Sequence, residues 1–296
     1  VYKRQDYMPY GNHPELPVFV GEMPLDVHAP GCYTSQAEMK RYNRRNEQLA
    51  DAAERSAVIA DWMGAVPYPK EALNDAWKRF LWHQFHDDLT GTSIWEAYTY
   101  SSNDEFLAQG QFCDVILASA GAAASVMDTR AKGSPVLVYN PAAYSRRSLV
   151  EATVDLPAEA EGVAVYAPDG KTVPAQIVAR DGARATVLFA AAMEPVSYAV
   201  YDVRAGKAGK GKVLRASGNT LENRVYKVTL DANGDIASVI DKRNGRDLVE
   251  KGRAFRLAVL TPNVSNRYPA WEIHKATLDQ TPEPVDTDVR ISVAEC

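Results

Sequence analysis

The sequence predicts an α+β multidomain chain: an antiparallel three-helix bundle followed by antiparallel β-sandwich domains. Three observations predict it. Residues 35 to about 130 carry helical apolar periodicity between clear stop signals. From Gly133 onward the texture becomes short β-branched and aromatic runs separated by Asp-Gly and Asn-Gly pairs. At 296 residues, the chain is long enough for two or three cores.

The elements follow in order. Residues 1–34 are irregular, with Pro9, Pro14, Pro17, Pro24 and Pro30, and resemble the tail of a preceding domain. Ser35 with Glu38 forms a capping-box pattern, opening a helix expected to reach Met63, where Gly64 and Pro67 stop it. Met39, Tyr42, Leu49, Ala53 and Ile59 fall roughly on one face. A second helix starts near Pro69 and is expected to run to Gly91, with Leu73, Trp77, Phe80 and Leu81 as its apolar stripe. A third is expected after Ser101-Ser102-Asn103, turning Phe106, Cys113, Ile116 and Leu117 inward and ending near Met127. Short connections make three such helices an antiparallel bundle over 35–132.

Strands are expected at Val136–Tyr139, Leu149–Val154, Val163–Tyr166, Ala185–Phe189 and Val196–Val203, forming a small β domain over 133–208. The run from Ala205 to Lys212 reads as a linker or long loop. A second β unit, 209–296, opens with a hairpin that alternates around Asn233-Gly234. The chain does not begin with Met, and its end reads as an interrupted strand. It is therefore expected to be part of a longer polypeptide, and its compartment is not readable.

Composition narrows the function classes. A net charge of −5 without a clustered basic face gives no reason to expect nucleic acid. The run from Lys40 to Arg45 reads as a solvated helix face. No apolar stretch is long enough for a membrane span. Cys32, Cys113 and Cys296 are too scattered for a disulfide framework or a cysteine zinc site.

The chemistry concentrates in Phe80-Leu-Trp-His-Gln-Phe-His-Asp-Asp-Leu-Thr-Gly-Thr-Ser93. If it were helical, His83 would share a face with His86 and Asp87. Imidazole nitrogen and carboxylate oxygen are both zinc ligand types. A satisfied structural histidine and a helix-end aspartate would explain the same pattern. There is no HExxH, so metalloprotease chemistry lacks support.

The segment His83–Ser93 resembles the signature at the start of the helical domain of glycoside hydrolase family 38, the retaining α-mannosidases. Further stretches resemble the same family in its order: Gly31–Ala37, Lys40–Arg45, Val138–Pro141, Leu221–Leu230, Gly234–Asp241 and Tyr268–Ile273. The resemblance implies that His86 ligates an active-site zinc and that Asp87 binds sugar hydroxyls. His83 and Gln84 fall on variable or packing positions. His28 and Tyr33 fall where the family lines its pocket, and Asp26 is a weak acid/base candidate. The family's Gly-His-x-Asp zinc motif and aspartate nucleophile are not in these 296 residues. The expected partners are α-mannoside glycans, with a homodimer left open, since related enzymes are often dimers. This chain alone is expected to bind zinc weakly or not at all and to lack mannosidase activity. Two other readings remain: a non-catalytic carbohydrate-binding or structural β-sandwich module with a helical spacer, and an unrelated zinc protein using His83 together with His86.

Overall fold

The computed structural model describes Val20 and residues 29–207, 214–260 and 267–293. Three long helices come first: α1 (Ala37–Trp62), α2 (Lys70–Trp82) and α3 (Trp95–Val126). They form an up-down-up bundle. Asn46 of α1 meets Glu105 of α3, and Met39 meets Ser102, so these two helices run parallel. Trp77 meets Phe112 and Arg79 meets Asp104, so α2 runs antiparallel to α3.

The core explains this arrangement. Ala50, Ala53 and Ala57 are fully buried and let α1 approach α3 closely, while Leu73, Phe80 and Phe112 fill the space beside α2. Trp77, Phe80 and Phe112 meet edge-on or tilted, with ring centroids 5.7–6.4 Å apart.

Several helix limits differ from the sequence expectation. α1 starts at Ala37, with no side-chain cap, because Gln36 takes a left-handed backbone (φ 49°). The Ser35 hydroxyl donates instead to the Ala270 carbonyl, so the capping box does not form. α2 ends at Trp82 rather than near Gly91; His83 already turns back with its N–H on the Phe80 carbonyl. α3 begins at Trp95, before the Ser-Ser-Asn signal. Ser101 sits inside the helix, its hydroxyl donating to the Ala97 carbonyl and to Asp88. The inward face of α3 carries Tyr98, Ala108, Phe112 and Val115, whereas Phe106 and Leu117 point outward.

The basic run divides in two. Arg41 and Arg44 are exposed and pair with Glu38 and Glu47. Lys40 turns inward and donates to the carbonyls of Ser35 and Leu89. Burial lowers its pKa.

Antiparallel β structure follows. One sheet has the order β1-β7-β3-β4: β1 (Ser134–Asn140), β3 (Val163–Tyr166), β4 (Thr172–Val173) and β7 (Ser197–Ala205). The other has the order β2-β6-β5: β2 (Arg146–Asp155), β5 (Ala175–Asp181) and β6 (Arg184–Met193). Val138, Val165, Val187, Phe189, Tyr201 and Val203 form the core between them, making a sandwich. The sandwich sits against α1: Tyr139 donates to the Ala52 carbonyl, Arg55 donates to the Pro141 carbonyl, and Ser56 shares a 2.7 Å hydrogen bond with Tyr198.

Beyond it lies a five-stranded meander: β8 (Arg215–Ser217), β9 (Thr220–Glu222), β10 (Tyr226–Leu230), β11 (Ile236–Asp241) and β12 (Arg246–Asp247). The hairpin expected around Asn233-Gly234 joins β10 to β11, with Gly234 at φ 80°. Short pieces complete the described chain: β13 (Ala258–Val259), α4 (Lys275–Leu278) and β14 (Glu283–Pro284). Among the described residues no helix is long and apolar enough to cross a membrane.

Candidate functional site

Three segments distant in sequence meet at the end of the bundle where α1 begins. The first is a 3-10 turn, Pro30–Tyr33, which leads into Ser35. The second is the connection from α2 to α3, His83–Ile94. The third is the turn at Tyr268–Trp271, closed by the Trp271 N–H on the Tyr268 carbonyl. The Gly31 N–H donates to the Trp271 carbonyl at 2.9 Å, and Ser35 reaches the Ala270 carbonyl. Lys40 ties Ser35 to Leu89 of the second segment.

Gly91 makes the closest approach. Its backbone is left-handed (φ 82°), and a β-carbon there would lie 2.3 Å from the Ser35 carbonyl oxygen. Only glycine meets both demands.

The His83–Ile94 connection is irregular but heavily bonded. The Asp87 carbonyl accepts from the N–H groups of Thr92 and Ser93 and from the Tyr98 hydroxyl at 3.0 Å. Tyr98 is buried at the start of α3, and its hydroxyl also receives the Ser93 N–H. Burial raises the Tyr98 pKa. Thr90 donates to the His86 carbonyl, and Thr92 donates to Asp87 Oδ1 at 3.0 Å. The backbone on both sides of His86 and Asp87 is therefore pinned. Tyr98→Phe should cost about 2 kcal/mol of stability, the value of the two hydrogen bonds its hydroxyl makes, as read by chemical denaturation.

At the tip, His86 Nε2 lies 3.3 Å from Asp87 Oδ2, with the His86 side chain 75% exposed. Its ring packs against Phe85, centroids 4.2 Å apart. One imidazole nitrogen and one carboxylate thus stand together at an open surface. The imidazole is a zinc ligand type and would supply one of the four ligands zinc usually takes, with the carboxylate beside it left for substrate. Among the described residues no group of three or more His, Cys, Asp or Glu side chains is arranged to hold an ion.

His83 has a different environment. Its Nδ1 lies 2.6 Å from Asp88 Oδ2 and its Nε2 lies 3.3 Å from Asp104 Oδ2. Both ring nitrogens are engaged by carboxylates, so His83 is not open to share a metal with His86. The expected helical face joining His83, His86 and Asp87 does not exist, because α2 has ended at Trp82. Burial pulls the His83 pKa down, but the hydrogen bonds to Asp88 and Asp104 outweigh it and hold it above its ordinary value. The protonated ring can donate from both nitrogens.

Asp88 also accepts from Ser101, and Asp104 pairs with Arg79 at 2.8 Å. Next to them Glu105 is fully buried beside Asn46, and burial raises its pKa against the opposing Asn46 hydrogen bond. Sequence reasoning missed Asp88, Tyr98, Asp104, Glu105 and Asn46. The only available signal was an unusual density of polar residues on helix faces that also carry core residues.

Of the other sequence candidates, Tyr33 lies in the 3-10 turn and is 59% exposed. Asp26 and His28 lie outside the described residues. Trp271 is half-buried, its ring 6.3 Å from that of Tyr268.

Comparison with known proteins bears on this site directly. The family model for the alpha mannosidase middle domain matches residues 28–120, taking in the 3-10 turn, most of the bundle and the His86–Asp87 tip. Mouse alpha-mannosidase 2C1 is 27% identical over 278 residues, 92% of this chain. Together these matches support reading the chain as a fragment similar to the glycoside hydrolase family 38 α-mannosidases. Yeast alpha-mannosidase is 37% identical over 93 residues, 30% of this chain and 8% of the yeast protein. A solved glycosyl hydrolase family 38 protein from Enterococcus faecalis shares the fold, with TM-score 0.62 and 21% identity over 87% of this chain and 34% of that one. An alpha-mannosidase from Enterococcus faecalis V583 superposes with TM-score 0.61 and 21% identity, over 77% of this chain and 30% of that one. The chain spans only 24% of the length of the mouse and human 2C1 relatives it matches.

Proposed function

We propose that this chain is the middle and following β portion of a retaining, zinc-dependent α-mannosidase acting on terminal α-mannosides of glycans. The observation that carries the proposal is the His86–Asp87 pair, held at the open end of the bundle within the family-matched region. In this reading His86 Nε2 supplies one ligand to the zinc, and Asp87 accepts hydrogen bonds from sugar hydroxyls. Zinc, when bound, supplies Lewis-acid contact to sugar hydroxyls and favours a distorted ring. Retaining glycosidases use two carboxyl groups about 5–5.5 Å apart, one as nucleophile and one as acid/base. The nucleophile is assigned outside these 296 residues, and Asp26 remains a candidate acid/base with His28 and Tyr33 as pocket residues.

What the described residues contribute is positioning. The Asp87 carbonyl, gathered by Thr92, Ser93 and Tyr98, fixes the backbone, and Thr92 on Asp87 Oδ1 orients the carboxylate. Asp87 Oδ2 then stays beside the imidazole.

The expected result is chelator-sensitive release of mannose from an aryl α-mannoside by the full-length polypeptide, and none by the 296-residue chain with or without zinc. Turnover by the 296-residue chain would overturn the division of labour proposed here. Chelator-insensitive turnover by the full-length polypeptide would overturn the zinc requirement.

A further inference from the structure

Beside the His86–Asp87 tip, on the face between the end of α2 and the start of α3, is a pocket of ≈470 Å³. Neither His86 nor Asp87 lines it. Its volume is within the roughly 300–1,000 Å³ typical of small-molecule sites. Three aromatic side chains stand around it: Trp82, Phe85 and Tyr100, which are 77%, 55% and 76% exposed. His83, Asp88, Asp104, Ser93 and Ser101 supply its polar lining.

One feature of the lining calls for a ligand. Asp88 is 8% exposed, and while its Oδ2 is bonded to His83 and Ser101, its Oδ1 is buried with no hydrogen-bond partner. Buried carboxylate oxygens are ordinarily satisfied, and leaving one unpaired is costly. Asp88 is a lining residue, so this oxygen lies just behind the pocket wall, where a small side-chain shift would let it accept from a donor in the pocket.

The charge balance selects the kind of donor. Aromatic rings with carboxylates can hold an ammonium ion. Here, however, the two carboxylates already have cationic partners: Asp104 pairs with Arg79 and His83, and Asp88 pairs with His83. The His83 pKa is held above its ordinary value, which supports a charged ring opposite them. A neutral ligand carrying hydroxyl donors and an apolar face matches the pocket better than a cation does. Pyranose sugars have that character, with C–H faces for aromatic rings and O–H groups for carboxylate oxygens.

We propose that the pocket lined by Trp82, Phe85, Tyr100, Asp88 and Asp104 is a second, non-catalytic binding site for a neutral pyranose. The site is independent of the metal-site reading, because it uses neither His86 nor Asp87.

The test titrates the 296-residue chain with methyl α-mannoside, methyl α-glucoside and methyl α-galactoside, followed by calorimetry and tryptophan fluorescence. Tetramethylammonium serves as the cationic comparison. The expected result is saturable binding of at least one sugar and none of tetramethylammonium. Trp82→Ala and Tyr100→Ala, both at exposed positions, should each weaken that binding roughly tenfold, the scale of one lost aromatic contact. Trp62→Ala, at the far end of α1, should not change it. His86→Ala should retain it, whereas in the full-length polypeptide the same substitution should abolish the proposed metal site, so the two readings fail separately. No saturable sugar binding, binding unchanged in both Trp82→Ala and Tyr100→Ala, or preferential capture of tetramethylammonium would each overturn the proposal.

Discussion

His83→Ala should destabilise the chain by about 3–5 kcal/mol, the range for breaking a buried ion pair by removing one partner. The His83 and Asp88 side chains are 5% and 12% exposed, so removing the ring leaves the Asp88 carboxylate buried without its counter-charge. Asp104 is 36% exposed and keeps Arg79, so it contributes little to the loss. Urea denaturation of wild type and variant measures the effect. A loss under about 1 kcal/mol would show a surface-type pair instead.

The same histidine sets a pH dependence. Its folded pKa is raised above the ordinary 6.5, so the folded state binds the proton more tightly than the unfolded state. The stability it contributes is fully present below pH 6.5 and is lost as pH rises through the folded value. Glu105, raised from 4.5 chiefly by burial, acts in the same sense at lower pH. Melting temperatures measured upward from pH 6 should fall in the wild type and stay flatter in His83→Ala.

Gly91→Ala has the second large effect. A left-handed backbone costs a residue with a β-carbon about 1–2 kcal/mol. Here that carbon would also lie 2.3 Å from a backbone oxygen of Ser35, which cannot rotate away. The combined loss should be on the order of 3 kcal/mol. The substitution pushes the His83–Ile94 connection off the 3-10 turn, so the damage reaches the His86–Asp87 tip. In the full-length polypeptide Gly91→Ala should lose activity more steeply than Tyr98→Phe, which removes the hydroxyl's hydrogen bonds to Asp87 and Ser93 but leaves the approach intact. Equal stability of Gly91→Ala and wild type would show that the two segments are not in contact.

The β half was legible because its signals are local. Alternation in Tyr226–Leu230 and Ile236–Asp241, with Asn-Gly between them, specifies a hairpin without reference to the rest of the chain. The helix ends were less legible because tertiary partners decide them. Ser35 and Glu38 form a good capping pattern, but Ser35 spends its hydroxyl on Ala270, more than 200 residues away in sequence. Ser101, Ser102 and Asn103 read as a helix start, but Ser101 is satisfied inside α3 by Ala97 and by Asp88 of the preceding connection. The closeness of His86 to Asp87 needed only that they be neighbours, whereas helical spacing wrongly added His83 to their face. The Asp88–His83–Asp104 network was invisible because its members come from a turn, the end of α2 and the interior of α3.

The central claim is that His86, at the tip of the connection, is a metal ligand of an α-mannosidase. The most direct test is metal content per chain and aryl α-mannoside turnover, measured on the same preparations of full-length wild type and His86→Ala. The account predicts that bound zinc and turnover fall together in His86→Ala, the latter by orders of magnitude, while the fold is retained because the side chain is 75% exposed. Wild-type metal content and turnover in His86→Ala would contradict it.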